Sequence, residues 1–172
     1  EPFGARLKSH YADKADIALH ALGYLSEGMT LALDASSTCF HLARQLPDIE
    51  LTVFTNSLPI CHEMAKREKI TLICSGGILE RKYRCYINPA LVTLLKSIEV
   101  DLFIFSCEGV DDAGNMWDPT EQSAGFKAQL LKRASQSLLL IDKSKFQRAS
   151  EVKIGDLSQV TQIVSDAHPS SR

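Results

Sequence analysis

Apolar residues along this chain follow two alternating spacings. Short uninterrupted runs at 30–34, 51–55, 70–75, 101–105 and 137–141 are separated by stretches in which apolar residues return every three or four positions. The runs are aliphatic, aromatic and β-branched and lack the polar alternation of a half-exposed strand, so each predicts a strand covered on both faces. The intervening stretches predict helices at 13–25, 37–46, 58–67, 89–97 and 121–134. The first carries Ala15, Ile17, Ala18, Leu19, Ala21, Leu22 and Leu25 and is ended by Gly28; the second is closed by Pro47, and Pro89 stands at a helix-starting position. Such alternation predicts an α/β fold, an open, mostly parallel sheet with helices on both faces, as a single domain over 1–172. Two segments break the rhythm. Residues 78–87, with Tyr83, Cys85 and Tyr86 among charges, read as an extended excursion, and 109–120, rich in Asp, Gly and Asn, reads as loop. A last short strand falls at 161–164, and the tail 169–172 reads as disordered.

Composition adds exclusions. Nineteen Lys and Arg against 21 Asp and Glu give a net charge of −2, which argues against this segment itself being a nucleic-acid-binding surface, since that needs a basic excess. No apolar run is long enough to cross a bilayer and no signal peptide is visible, so a cytoplasmic protein without membrane contact is expected. Five cysteines without a Cys-x-x-Cys pair predict reduced thiols, and five histidines without ligand spacing predict neither a metal nor another cofactor. The chain begins at Glu1 and reads as a fragment whose amino-terminal part is missing. The apolar strip on the first helix and the Tyr83/Tyr86 segment predict self-association into a homo-oligomer.

In an open parallel sheet, ligands bind where loops leave the carboxyl ends of the strands. Four such loops carry candidate chemistry. Asp34 to Thr38, with the hydroxyls of Ser36, Ser37 and Thr38, joins a strand to a helix and can offer backbone N–H groups to a phosphate; the alternative is that Ser37 merely caps the helix. Asn56 and Ser57 can bond sugar hydroxyls or serve as turn and cap residues. Gly76 and Gly77 permit positive φ or close approach of backbone to ligand, with Arg81 within reach of an anion or out in solvent. Lys145, after the last long strand, is the candidate phosphate cation. Glu121, at a helix start, is a candidate partner for a ligand hydroxyl, or a base in an enzyme reading that could also use Asp111. Its plainer role is dipole compensation.

Taken in order, Leu33-Asp34-Ala35, Thr55-Asn56-Ser57, Gly76-Gly77, Val100-Asp101, Glu108-Gly109-Val110-Asp111 with Gly114, and Asp142-Lys143-Ser144-Lys145-Phe146 resemble the effector-binding domain of DeoR-family transcriptional regulators. The resemblance implies a fold similar to ribose-5-phosphate isomerase and glucosamine-6-phosphate deaminase. It implies a phosphorylated sugar as effector and a preceding helix-turn-helix domain through which alone the protein meets DNA. It implies a sensor without turnover, the alternatives being a sugar-phosphate isomerase or deaminase, or an assembly module. By this similarity Ser37, Thr38, Asn56, Gly76, Gly77, Glu121 and Lys145 would line the site. Two departures stand out: Ser36-Ser37 where the family has Gly then Thr, and Ile87-Asn88-Pro89 where it has Val-Gly-Pro.

Overall fold

A computed structural model describes residues 1–166. Six strands form one sheet: β1 (Thr30–Leu33), β2 (Leu51–Thr55), β3 (Ile70–Cys74), β6 (Leu102–Phe105), β9 (Gln136–Ile141) and β11 (Gln162–Ser165), in the order β11-β9-β6-β1-β2-β3 and parallel throughout. Chain order runs outward from β1 through β2 to β3 on one side, and through β6 and β9 to β11 on the other. The reversal between β1 and β6 opens a crevice at the carboxyl ends.

Period-two side-chain alternation explains why the runs are apolar without interruption: successive residues serve different cores. Leu31, Leu33, Val53, Leu102, Ile104, Leu138 and Leu140 pack against α2 (Tyr11–Ala21), α3 (Ser37–Gln45) and α4 (Leu58–Met64). Ala32, Phe54, Phe103, Phe105, Leu139 and Ile141 face α5 (Leu91–Leu95) and α6 (Glu121–Arg133) on the other side. Phe103 stacks on Phe105 with centroids 4.8 Å apart, and Phe126 of α6 meets both Phe54 and Phe103.

The structure corrects several boundaries. A short helix α1 (Phe3–Lys8) precedes α2, which starts at Tyr11 and ends at Ala21 in a 3-10 turn, Leu22–Tyr24. The expected 89–97 helix is only Leu91–Leu95, with Ala90 just before its first residue, so Pro89 sits in the preceding turn rather than the helix's first position. The 78–87 excursion is a hairpin of β4 (Ile78–Glu80) and β5 (Cys85–Ile87). The segment read as loop at 109–120 contains β7 (Gly109–Val110) and β8 (Asn115–Asp118), which form a small antiparallel sheet with β10 (Val152–Asp156). The turn between β7 and β8 is organised by Asp111, whose carboxylate accepts from the Ala113 and Asn115 amides, Asn115 Nδ2 and Trp117 Nε1 at 2.8–3.1 Å. The expected disorder at 169–172 lies outside the described residues. Among the described residues no helix is long and apolar enough to cross a membrane.

Candidate functional site

Asp34 occupies the crevice at the end of β1 and is fully buried. Its Oδ1 accepts from the Ser36 amide at 2.9 Å and the Ser36 hydroxyl at 2.5 Å, and its Oδ2 accepts from the Ser106 amide, just after β6, at 2.8 Å. The carboxylate thus holds the two central strands at the switch point. Lys127 of α6 completes the arrangement, with Nζ 3.4 Å from Asp34 and 2.6 Å from Asp118. Asp118 also accepts from the Glu108 amide at 3.1 Å and from the Ser123 hydroxyl. Burial alone would push the Lys127 ammonium toward neutrality, but Asp118 and Asp34 hold its pKa above the ordinary lysine value. Every member of this buried cluster has a partner, as stability requires.

Beside the cluster lies a cavity of about 430 Å³, of the size that holds a small metabolite. Its lining includes apolar residues, Ile87, Pro89, Leu91, Val92 and Phe126, and polar ones, Asp34, Ser36, Asn56, Ser75, Glu121 and Lys127. The β4–β5 hairpin forms part of the rim. Gly77 lets it close: a Cβ there would stand 2.3 Å from the Ile87 carbonyl, and its φ of +108° suits glycine. The close approach that Gly77 permits is to this hairpin. Tyr83 and Tyr86, expected at an exposed surface, are half-buried and line the cavity. Arg6 of α1 reaches the rim, its guanidinium 5.6 Å above the Tyr83 ring and 3.6 Å from Glu108, which Arg148 also contacts at 3.1 Å.

At the start of α3, Ser36 is the cap, accepting from the Cys39 amide at 3.1 Å. The cap is therefore Ser36 rather than Ser37. The amides of Ser37 and Thr38 donate to no described group. Over this turn lies Lys14 of α2, 5% exposed, donating to Ser37 Oγ at 2.8 Å and the Arg6 carbonyl at 2.5 Å. It forms no ion pair with any described carboxylate. Burial, then repulsion from Lys145 and Arg6, lower its pKa from 10.5 to about 8, against opposing pulls from Asp142 and Glu1.

The sequence candidates therefore divide. Asp34, Ser36, Asn56 and Glu121 line the cavity. Ser37 and Thr38 are buried in the first turn of α3 beneath Lys14, and Lys145 lies within electrostatic range of Lys14. Ser57 caps α4 through the Ile60 amide at 3.2 Å. Gly76, Gly77 and Arg81 stand outside the cavity lining, Arg81 exposed. Sequence reasoning missed Lys14, Lys127, Asp118 and Arg6. Two carried a signal. Lys14 falls in step with Ile17, Ala18 and Ala21, and Lys127 with Ala124, Leu130 and Leu131, so each lysine sits on the buried stripe of its helix.

A six-stranded parallel sheet with helices on both faces and a cavity at its switch point is an open α/β fold of the ribose-5-phosphate isomerase type. Ribose 5-phosphate isomerase A from Methanocaldococcus jannaschii matches with a TM-score of 0.57 at 18% identity, covering 80% of this chain and 55% of that one. The eIF2B delta subunit from Chaetomium thermophilum matches at 0.64 with 12% identity, covering 94% and 58%. These likenesses are of fold. Residues 9–167 match the family model of the DeoR C terminal sensor domain, and the chain belongs to that family. It is 66% identical over 166 residues to the L-fucose operon activator of Escherichia coli (strain K12), covering 96% of this chain and 68% of that protein. It is 35% identical to the L-fucose operon activator of Haemophilus influenzae, covering 95% and 66%, and 34% identical to the HTH-type transcriptional regulator YulB of Bacillus subtilis, covering 96% and 64%. The chain spans about two thirds of the length of these curated relatives. It is the sensor domain of a DeoR-type transcriptional regulator.

Proposed function

We propose that this domain senses a phosphorylated sugar. The phosphate docks against the first turn of α3, among Ser36, Ser37, Thr38 and the cations Lys14, Arg6 and Lys145, and the sugar hydroxyls meet the polar residues of the cavity lining. Lys14 carries the reading. A buried ammonium with two cationic neighbours and no carboxylate paired to it, set over the free amides of a helix start, is a site arranged for an anion. Binding is communicated to an upstream helix-turn-helix domain that alone contacts DNA, in a cytoplasmic homo-oligomer.

The domain has no turnover in this reading. An isomerase needs a carboxylate free to take a proton from carbon. Asp34 and Asp118 are committed to amides, hydroxyls and Lys127, and Asp111 is committed to its turn. Glu121 remains as the only candidate of the two named from sequence that faces the cavity.

L-fuculose 1-phosphate is the first compound to test, because the 66% identical relative is named for the L-fucose operon. At a hundredfold excess over Kd a ligand stabilises by about 2.7 kcal/mol, a rise in Tm of roughly 5–10 °C for a domain this size. That shift is expected with the phosphate ester, absent with free L-fuculose, and lost in Lys145→Ala. Equal stabilisation by free L-fuculose refutes the phosphate assignment, and isomerisation of the ester by the purified chain refutes the sensor reading.

A further inference from the structure

Among the described residues, every buried side-chain nitrogen or oxygen that lines the cavity finds a partner within the protein, with one exception. Asn56 is only 6% exposed, and its Oδ1 is one of two buried side-chain nitrogen or oxygen atoms among the described residues that lack a hydrogen-bond partner. The other, Arg133 Nε, belongs to the last residue of α6 and does not line the cavity. A buried acceptor left unmet in this way is uncommon in folded proteins and calls for a reason.

Other polar groups that line the cavity direct their bonds elsewhere. Asn88 Nδ2 donates to the Ser75 carbonyl at 2.6 Å, the Ser75 hydroxyl to the Gly76 carbonyl at 3.3 Å, and the Ser36 hydroxyl to Asp34. Lys127 is held by its two aspartates. Nor can Asn56 move away as a whole. Its carbonyl accepts from the Tyr86 amide at 2.8 Å, and the next residue, Ser57, bridges to Cys85 while capping α4. What remains free is the last side-chain torsion, which is broad and inexpensive to turn for an amide. The acceptor can therefore swing to a molecule in the cavity without disturbing the backbone.

The partner has to be a donor. Phosphate and carboxylate oxygens at neutral pH accept hydrogen bonds, whereas a hydroxyl donates. We infer that Asn56 is a specificity-determining residue that accepts a hydrogen bond from one hydroxyl of the bound molecule, and so rejects analogues lacking that hydroxyl. The inference rests on the sugar-phosphate reading and narrows it to a class: polyhydroxylated phosphates with a free hydroxyl at one defined carbon. A site that leaves a buried acceptor unmet when the hydroxyl is missing discriminates by about tenfold at least.

The test pairs titration calorimetry with thermal melting of the intact chain, using L-fuculose 1-phosphate, its monodeoxy analogues and free L-fuculose. The unaltered chain is expected to bind one monodeoxy analogue at least tenfold more weakly than the parent ester. Asn56→Leu is expected to bind the two alike, and Asn56→Asp, which keeps an acceptor, to retain the preference. Without ligand, Asn56→Leu is expected to melt at or above the temperature of the unaltered chain. A clearly lower melting temperature would mean that the acceptor is already satisfied in the empty protein, and the inference falls. It falls equally if Asn56→Leu keeps the discrimination. Tight binding of free L-fuculose would instead defeat the phosphate reading while leaving the hydroxyl comparison to decide on Asn56, and no binding of any probe would defeat both.

Discussion

Lys14 makes the phosphate reading measurable through pH. In the empty site its pKa lies at about 8 because burial and the neighbouring Lys145 and Arg6 disfavour the charged form. A bound dianion supplies the missing counter-charge and returns the group toward its ordinary 10.5, so binding above pH 8 must first protonate it. With a starting pKa near 8, about one site in eleven is charged at pH 9, so affinity should fall roughly tenfold between pH 7 and 9, a loss of about 1.4 kcal/mol. On the acid side a phosphate ester gains its second charge near pH 6. Affinity should therefore rise from pH 5 to 7, stay level, and decline above 8. Calorimetry in buffers of different ionisation heat should count close to one proton taken up per ligand at pH 9. Lys14→Arg, charged throughout this range, should lose the alkaline decline, while Lys14→Met should bind weakly at every pH. If the alkaline limb persists unchanged in Lys14→Arg, or no proton is taken up at pH 9, the anion does not sit on Lys14.

In the empty domain the same group contributes a stability change of the opposite sense: the unfolded chain holds the Lys14 proton up to 10.5 and the native one only to about 8. Its contribution to native stability should thus rise with pH between those values, which urea unfolding of the unaltered chain against Lys14→Met isolates. Lys127→Met leaves Asp34 and Asp118 buried without their cation and should cost ~3–5 kcal/mol in urea unfolding; adding Asp34→Asn and Asp118→Asn should recover much of it, and no recovery would mean the loss comes from packing. Gly77→Ala forces a Cβ toward the Ile87 carbonyl at an unfavourable φ. A cost of at least ~2 kcal/mol is expected, against ~1 kcal/mol for Gly76→Ala, whose position is open. Equal melting temperatures for the two variants would show that the hairpin does not depend on this contact.

The central sheet was legible because each strand is buried on both sides and so carries a local signature: Leu31 and Leu33 serve one core, Ala32 the other. The small sheet left no such mark. Its strands are short and mixed in polarity, and β8 pairs with β10 from across α6 and β9, a non-local partnership that neither Asn115–Asp118 nor Val152–Asp156 announces. In the site, Asp34, Ser36 and Asn56 were visible because turn chemistry and function draw on the same residue types. For Ser57 the turn role is what the geometry displays. Lys14 and Lys127 were hidden by the habit of assigning lysine to solvent. Their place on an apolar stripe becomes informative only once burial of a charge is taken as a sign of a partner, which Asp34 and Asp118 are for Lys127 and which the proposed phosphate would be for Lys14.

The Asp34–Lys127–Asp118 cluster has a mechanical consequence. It rivets α6 and the small sheet to the middle of the large one, so that this wall of the cavity behaves as a fixed jaw. The β4–β5 hairpin is tied to the end of β2 and the start of α4 by the Tyr86 amide on the Asn56 carbonyl, the Leu58 amide on the Arg84 carbonyl and the Ser57–Cys85 bridge, and α1 leans on it through the Phe3 amide on the Lys82 carbonyl, Arg84 over the Phe3 ring and Arg6 shared between Tyr83 and Glu108. A lever that ties the first residues of the chain to the cavity rim is thus built from α1, whose Phe3 and Arg6 both rest on the hairpin.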